Sequence, residues 1–180
     1  FTSIASSNTD LGAKYVAAGF STINLAASVT NDLNLDNVTS AQTVNVAAGT
    51  DTIDASSMTA ALTVAVAHSN SITSADTITG GTSTSDVLEL TYATAAAALN
   101  NITGFETIKG GSNLAQTITT VDGNVSSTKS MTIDMTASTT TTATVSIANE
   151  TDGAITILGG ASENAITLSV SSMGDTFTGG

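Results

Sequence analysis

One four-residue phrase returns along this chain with small variations: "DTID" at 51, "DTIT" at 76, "ETIK" at 106 and "DTFT" at 175. Each puts an acid before a short alternation of Thr, an apolar residue and a polar one, the pattern of a half-buried strand. Glycine pairs stand at 80/81, 110/111, 159/160 and 179/180. A strand this short cannot bury its apolar face alone. Copies of it, recurring every few tens of residues, bury that face by stacking on one another. The repetition limits the available folds more than any other feature does.

Short apolar runs of the same kind fill the rest of the chain. Strands are expected at 21–27, 33–38, 42–48, 51–56, 62–68, 76–79, 86–92, 105–109, 116–121, 131–137, 142–148, 154–158 and 165–171, bounded by Gly, Asn, Asp or Ser. Two segments carry helix signals instead. Residues 8–20 have Asp10 as an N-cap and Gly19 as a stop, and residues 93–105 hold an alanine run ending at Asn100 and Gly104.

The expected fold is therefore all-β: a parallel β-solenoid of β-roll or β-helix type, with short helical or irregular insertions. An antiparallel β-sandwich is the alternative, because it too produces many short strands with turn signals. Side-chain size separates the two. With no Trp, 3% aromatics and 35 threonines, the chain suits thin Ala, Val, Ile and Thr layers better than a broad sandwich core. Residues 1–180 are expected to form one continuous repetitive domain with a weak subdivision near residue 70. The chain opens on Phe1 rather than Met, so a longer parent chain is expected.

Charge narrows the function. Fifteen acids face Lys14, Lys109 and Lys129, with no arginine, for a net charge of −12. Nucleic-acid binding needs clustered Lys and Arg, which this chain lacks. Divalent cations are the natural counter-charge. No run of 18 apolar residues is present, so no membrane insertion is expected. Catalytic groups are few. His68 is the sole histidine, cysteine is absent, and the four Glu (89, 106, 150, 163) are scattered. No enzymatic role is expected.

The candidate metal ligands follow from the repeated phrase. Asp76 and Asp86 flank the Gly80-Gly81 corner, where glycines let the backbone turn and direct carbonyls inward. Calcium takes six to eight oxygens from carboxylates and carbonyls. The related phrases add Asp51 and Asp54, and near the end of the sequence Asp175 and Gly179. Stacked coils would place one such corner above the next, so that an ion could be shared.

"DTITGGTSTSDVLEL", "NITGFETIKGG" (101–111) and "DTFTGG" resemble the repeats-in-toxin (RTX) type surface-layer and surface-adhesin proteins of Gram-negative bacteria. The family repeat is G-G-x-G-x-D-x-hydrophobic-x. Here Ser83 stands at the third glycine, and Asp86 falls one residue late. The resemblance implies a chain secreted by a type I system that binds Ca2+, folds as a parallel β-roll and assembles on itself at the bacterial cell surface. The function expected is that of an extracellular structural protein of a surface layer or filament, with calcium-dependent folding and assembly. Its partners would be further copies of itself and cell-surface polysaccharide. An adhesin-type module for ice, glycan or a host surface is the alternative, and a polysaccharide-active enzyme the least expected.

Overall fold

A computed structural model describes residues 2–4, 6–10, 19–67, 71–90, 97–111, 117–138, 142–160, 165–169 and 174–179. The strands of the first half are β1 (Thr2–Ile4), β2 (Ser6–Asp10), β3 (Thr22–Leu25), β4 (Thr30–Asn34), β5 (Gln42–Val46), β6 (Thr50–Asp54), β7 (Leu62–Val66), β8 (Thr77–Thr79) and β9 (Val87–Leu90). Then come β10 (Ala97–Ala98), β11 (Ile102–Thr103), β12 (Thr107–Gly110) and β13 (Thr117–Thr119). A single 3-10 turn, Asp122–Asn124, precedes β14 (Ser130–Asp134), β15 (Thr142–Ser146), β16 (Ala154–Leu158), β17 (Ala165–Ser169) and β18 (Thr176–Thr178).

These strands wind into a parallel β-solenoid. Nine of them form one sheet in the order β1-β3-β5-β7-β9-β12-β14-β16-β18. We call this the continuous sheet. A five-stranded sheet, β11-β8-β6-β4-β2, backs its first part, and a four-stranded sheet, β10-β13-β15-β17, backs its second. Every described strand pairing is parallel. The antiparallel sandwich is thereby excluded.

Register is regular along the continuous sheet from β3 onward, while the β1–β3 pairing is shifted between Thr2 and Ile4. Ile23, Val44, Val64, Leu88, Ile108, Ile133, Ile157 and Phe177 lie opposite one another in succession, 20 to 25 residues apart. Up to Ile157 this column is buried, and it faces Leu33, Ile53, Ile78 and Ile102 of the five-stranded sheet or Ile118 and Val145 of the four-stranded one. Aliphatic side chains of similar size on successive rungs fill most of the narrow interior, with Phe105 the buried aromatic among the described residues. Each buried aliphatic contributes roughly 1.5–3 kcal/mol. On the outer face a threonine column (Thr22, Thr43, Thr63, Thr107, Thr132, Thr156, Thr176) is broken only by Val87. β-branched side chains pack well on such a pleated surface.

The helix expectations fail where the structure describes them. Residues 8–10 belong to β2, and Gly19 sits in a turn with φ +74°, while 11–18 lie outside the described residues. Within 93–105, Ala97–Ala98 is β10, paired with Ile118 and Thr119, and Ile102–Thr103 is β11, paired with Ile78 and Thr79. Alanine's helix propensity is a weak prior, and ladder pairing to a neighbouring coil overrides it. Residues 91–96 lie outside the described residues, as do 68–70, which hold His68 and the expected subdivision. The continuous sheet joins β7 to β9 across that segment.

β9 to β12 form the junction coil. It carries β10 of the four-stranded sheet and β11 of the five-stranded one within a single circuit. After it the backing changes while the continuous sheet goes on.

Candidate functional site

The acid that opens each repeated phrase sits just before or at the start of a strand, one coil above a backbone amide. Asp76 Oδ1 accepts the Asp51 N–H at 2.7 Å, from 25 residues away. Its Oδ2 accepts the Thr73 N–H and hydroxyl at 2.5 and 3.1 Å. Glu106 Oε2 accepts the Asp86 N–H at 3.0 Å, and Asp175 Oδ1 accepts the Ile155 N–H at 3.0 Å, each from 20 residues away. Asp86, at the far side of the Gly-Gly corner, works the same way. Its Oδ1 accepts the Leu62 N–H at 2.8 Å and its Oδ2 the Gly81 N–H at 2.7 Å. A carboxylate accepting from buried amides makes a charge-assisted bond, and removing it would orphan those donors.

Asp51 differs. It points inward from β6, is fully buried, and Oδ1 accepts the Asn31 side-chain amide at 2.6 Å. Its Oδ2 has no hydrogen-bond partner. Burial, reinforced by the neighbouring Asp76 and opposed by the bonds from Asn31 and the Ala47 backbone, pushes its carboxyl up to about 6. Burial raises Asp86 as well, against the Leu62 and Gly81 amides. Asp54 lies on the outer face of β6 and turns back to accept the Ser56 N–H at 3.0 Å.

The glycine corner has a steric cause. A Cβ on Gly80 would stand 2.1 Å from the Gly104 carbonyl oxygen, and one on Gly81 would stand 2.3 Å from that of Met58. Backbones of adjacent coils touch here, and only glycine admits the contact. Gly179, by contrast, is exposed, and a Cβ there would meet nothing closer than Phe177 at 3.7 Å.

The structure thus brings Asp51 to Asp76, and Asp86 to Gly80-Gly81, but it gives Asp54 and the Asp175–Gly179 end separate surroundings. A calcium shell needs several oxygens converging on one point. At the Gly80-Gly81 corner both Asp86 oxygens already accept N–H donors, as do both oxygens of Asp76. These corners fit the role of coil-to-coil hydrogen bonding.

A different acidic group was not visible in the repeat. Carboxylate oxygens of Asp122, Glu150 and Asp152 lie within 4.8 Å of one another, with Glu150 buried and the two aspartates exposed. Asp122 follows β13, and the other two follow β15, one coil further on. The sole signal available in the sequence is their separation of about one circuit, and that becomes readable only once the circuit length is known.

A shallow groove at the junction coil is lined in part by Gly104, Phe105, Glu106, Asn124 and Lys129. Its one carboxylate, Glu106, is occupied by the Asp86 amide. No protein-family model, curated protein or solved structure matches the chain. Geometry alone therefore supports the functional reading.

Proposed function

We propose that this chain is a structural, self-assembling extracellular protein, a module of a bacterial surface layer or surface filament. One observation carries the reading: the acid of each repeated phrase is occupied in holding coils together. Asp51 takes Asn31 across 20 residues, Asp76 takes Asp51, Glu106 takes Asp86 and Asp175 takes Ile155. Polar side chains arranged for chemistry would leave oxygens and nitrogens directed at a cleft. Here they are turned onto the neighbouring rung, three onto its backbone and Asp51 onto the Asn31 side chain.

Charge supports it further. A net charge of −12 makes association depend on cations, and calcium at extracellular levels is a suitable counter-ion. Calcium then favours the folded, assembled state by binding it in preference to the open chain.

An ice- or glycan-binding face is the second reading, and the threonine column favours it in part. Two residues along each rung, however, the outward positions are Asn24, Asn45, Ala65, Glu89, Lys109, Asp134 and Leu158. A flat water-ordering face needs a second uniform column, and this one is mixed in charge and size.

Light scattering and electron microscopy test the proposal. With about 5 mM calcium, well above the 10⁻⁴–10⁻³ M dissociation constants typical of extracellular modules, particles or sheets should grow with protein concentration. EDTA should return the protein to dispersed form. A dispersed protein under both conditions, at any concentration, overturns the reading.

A further inference from the structure

We infer that Asp122, Glu150 and Asp152 form a binding site for a divalent, oxygen-seeking cation of calcium size. This corner is separate from the Gly-Gly corners and from the repeated phrase.

The argument begins with Glu150. It closes a turn in which its N–H donates to the Ile147 carbonyl at 3.1 Å. The turns Leu35–Val38, Ala55–Met58 and Leu99–Ile102 have the same bond and end on a buried apolar residue, while Thr73–Asp76, Val121–Asn124 and Met135–Ser138 end on a buried polar one. At this corner the position is taken by a carboxylate that is 1% exposed. Burying a charge is costly unless it is paired. Glu150 Oε1 accepts the Asp152 and Gly153 amides at 3.3 and 2.9 Å. Oε2 is buried and has no hydrogen-bond partner.

The neighbours add charge where compensation is needed. Asp122 and Asp152 bring their oxygens within 4.8 Å of that carboxylate. Among the described residues the one ion pair is Lys109 with Glu89, so no lysine neutralises the three acids. The group is nevertheless held together. Asp122 Oδ1 accepts the Thr151 N–H at 2.9 Å and also its hydroxyl, which locks the upper turn onto the lower one. That leaves Asp122 Oδ2, Glu150 Oε2 and the Asp152 carboxylate as donors.

The donor set selects the ion. All three ligands are carboxylate oxygens, the hard donors that suit Ca2+, Mg2+ or Mn2+ rather than zinc or copper. Two oxygens on opposite sides of a calcium stand roughly 5 Å apart, because each bond is about 2.3–2.6 Å. The spacing of at most 4.8 Å fits inside that shell. Two of the three donors are exposed, so solvent water completes the coordination.

The test is titration calorimetry with CaCl₂ alone on EDTA-stripped full chain, at a dilution where scattering shows dispersed protein. Binding and assembly are then read separately: failure to assemble leaves this inference standing, and failure to bind here leaves the assembly reading standing. We expect one saturable uptake by the wild type, at least tenfold weaker in Asp152→Asn, whose exposed carboxylate accepts no hydrogen bond among the described residues. Asp122→Asn/Asp152→Asn should abolish it while keeping the wild-type circular dichroism spectrum. Glu150→Gln is the buried counterpart, and its calcium-free melting temperature should rise as its uptake disappears. No saturable uptake by the wild type, or unchanged uptake in the double variant, overturns the site. Magnesium uptake as tight as that of calcium overturns the assignment to the larger ion.

Discussion

The two halves of the solenoid share one continuous sheet yet place their acids differently. In the half backed by β2, β4, β6, β8 and β11, Asp76, Asp86 and Glu106 each reach a backbone amide one rung away, and the coils touch through Gly80 and Gly81. In the half backed by β10, β13, β15 and β17, Asp122, Glu150 and Asp152 gather at one corner. Carboxylates staple coils in both halves, since Asp122 takes the Thr151 amide and Asp175 the Ile155 amide. What the second half adds is a corner where several carboxylates meet and charge is concentrated.

Steric substitution should break the comparison most severely. Gly80→Val meets the Gly104 carbonyl and should cost roughly 3 kcal/mol or more, read as a collapse of the denaturation midpoint. Gly123→Ala, in the other half, meets nothing within 4 Å and should leave the midpoint unchanged within error. Equal effects would mean that the halves are packed alike.

Removing a staple comes next. Asp86→Ala orphans the Leu62 and Gly81 amides, and at about 1–2 kcal/mol for each buried donor it should cost roughly 2–4 kcal/mol by urea denaturation. Asp152→Ala, measured in EDTA, should stay within about 0.5 kcal/mol of the wild type, as surface changes do. An Asp152 variant as damaging as the Asp86 one would erase the distinction.

Acidity gives a comparable or smaller effect of opposite sense. The Asp51 carboxyl, ordinarily near 3.8, is raised to about 6 in the fold. Between those values the folded chain holds more protons than the unfolded one, so stability falls as pH rises through that window. This group's contribution is fully present below about pH 4 and lost above about pH 6, a change on the order of 2–3 kcal/mol at most. The melting temperature should therefore climb as pH is lowered from 7 to 5, to the extent that Asp51 governs it. Asp51→Asn, which keeps an oxygen for Asn31, should flatten that slope. A slope unchanged in the variant would assign it to other carboxylates.

Much of the fold was legible in the sequence. All thirteen expected strands overlap a described one, because alternating Thr and Val, Ile or Leu is a strong local signal. At 33–38 the expectation ran late: β4 starts at Thr30 and takes in Asn31, which the apolar count passed over but which faces inward to bond Asp51. Ala97–Ala98 and Ile102–Thr103 were missed because two-residue strands carry no periodicity, and neighbouring coils alone define them. The site was less legible. The acids of the repeat stood out, but whether a carboxylate meets an amide or an ion depends on the height of the coil above, which local spacing does not encode. Asp122 and Glu150 meet only because Ile118 lies opposite Val145 in the four-stranded sheet.

The junction coil shows that one wall of the tube can be exchanged while the other passes through unbroken. Its length is thus quantised. Deleting a segment of one whole circuit, from Val44 to the residue before Val64 for example, returns every later inward side chain to the interior. Deleting half as much puts the opposite wall out of step. A molecule built this way changes size by counting circuits, and its history of gains and losses should be written in multiples of that length.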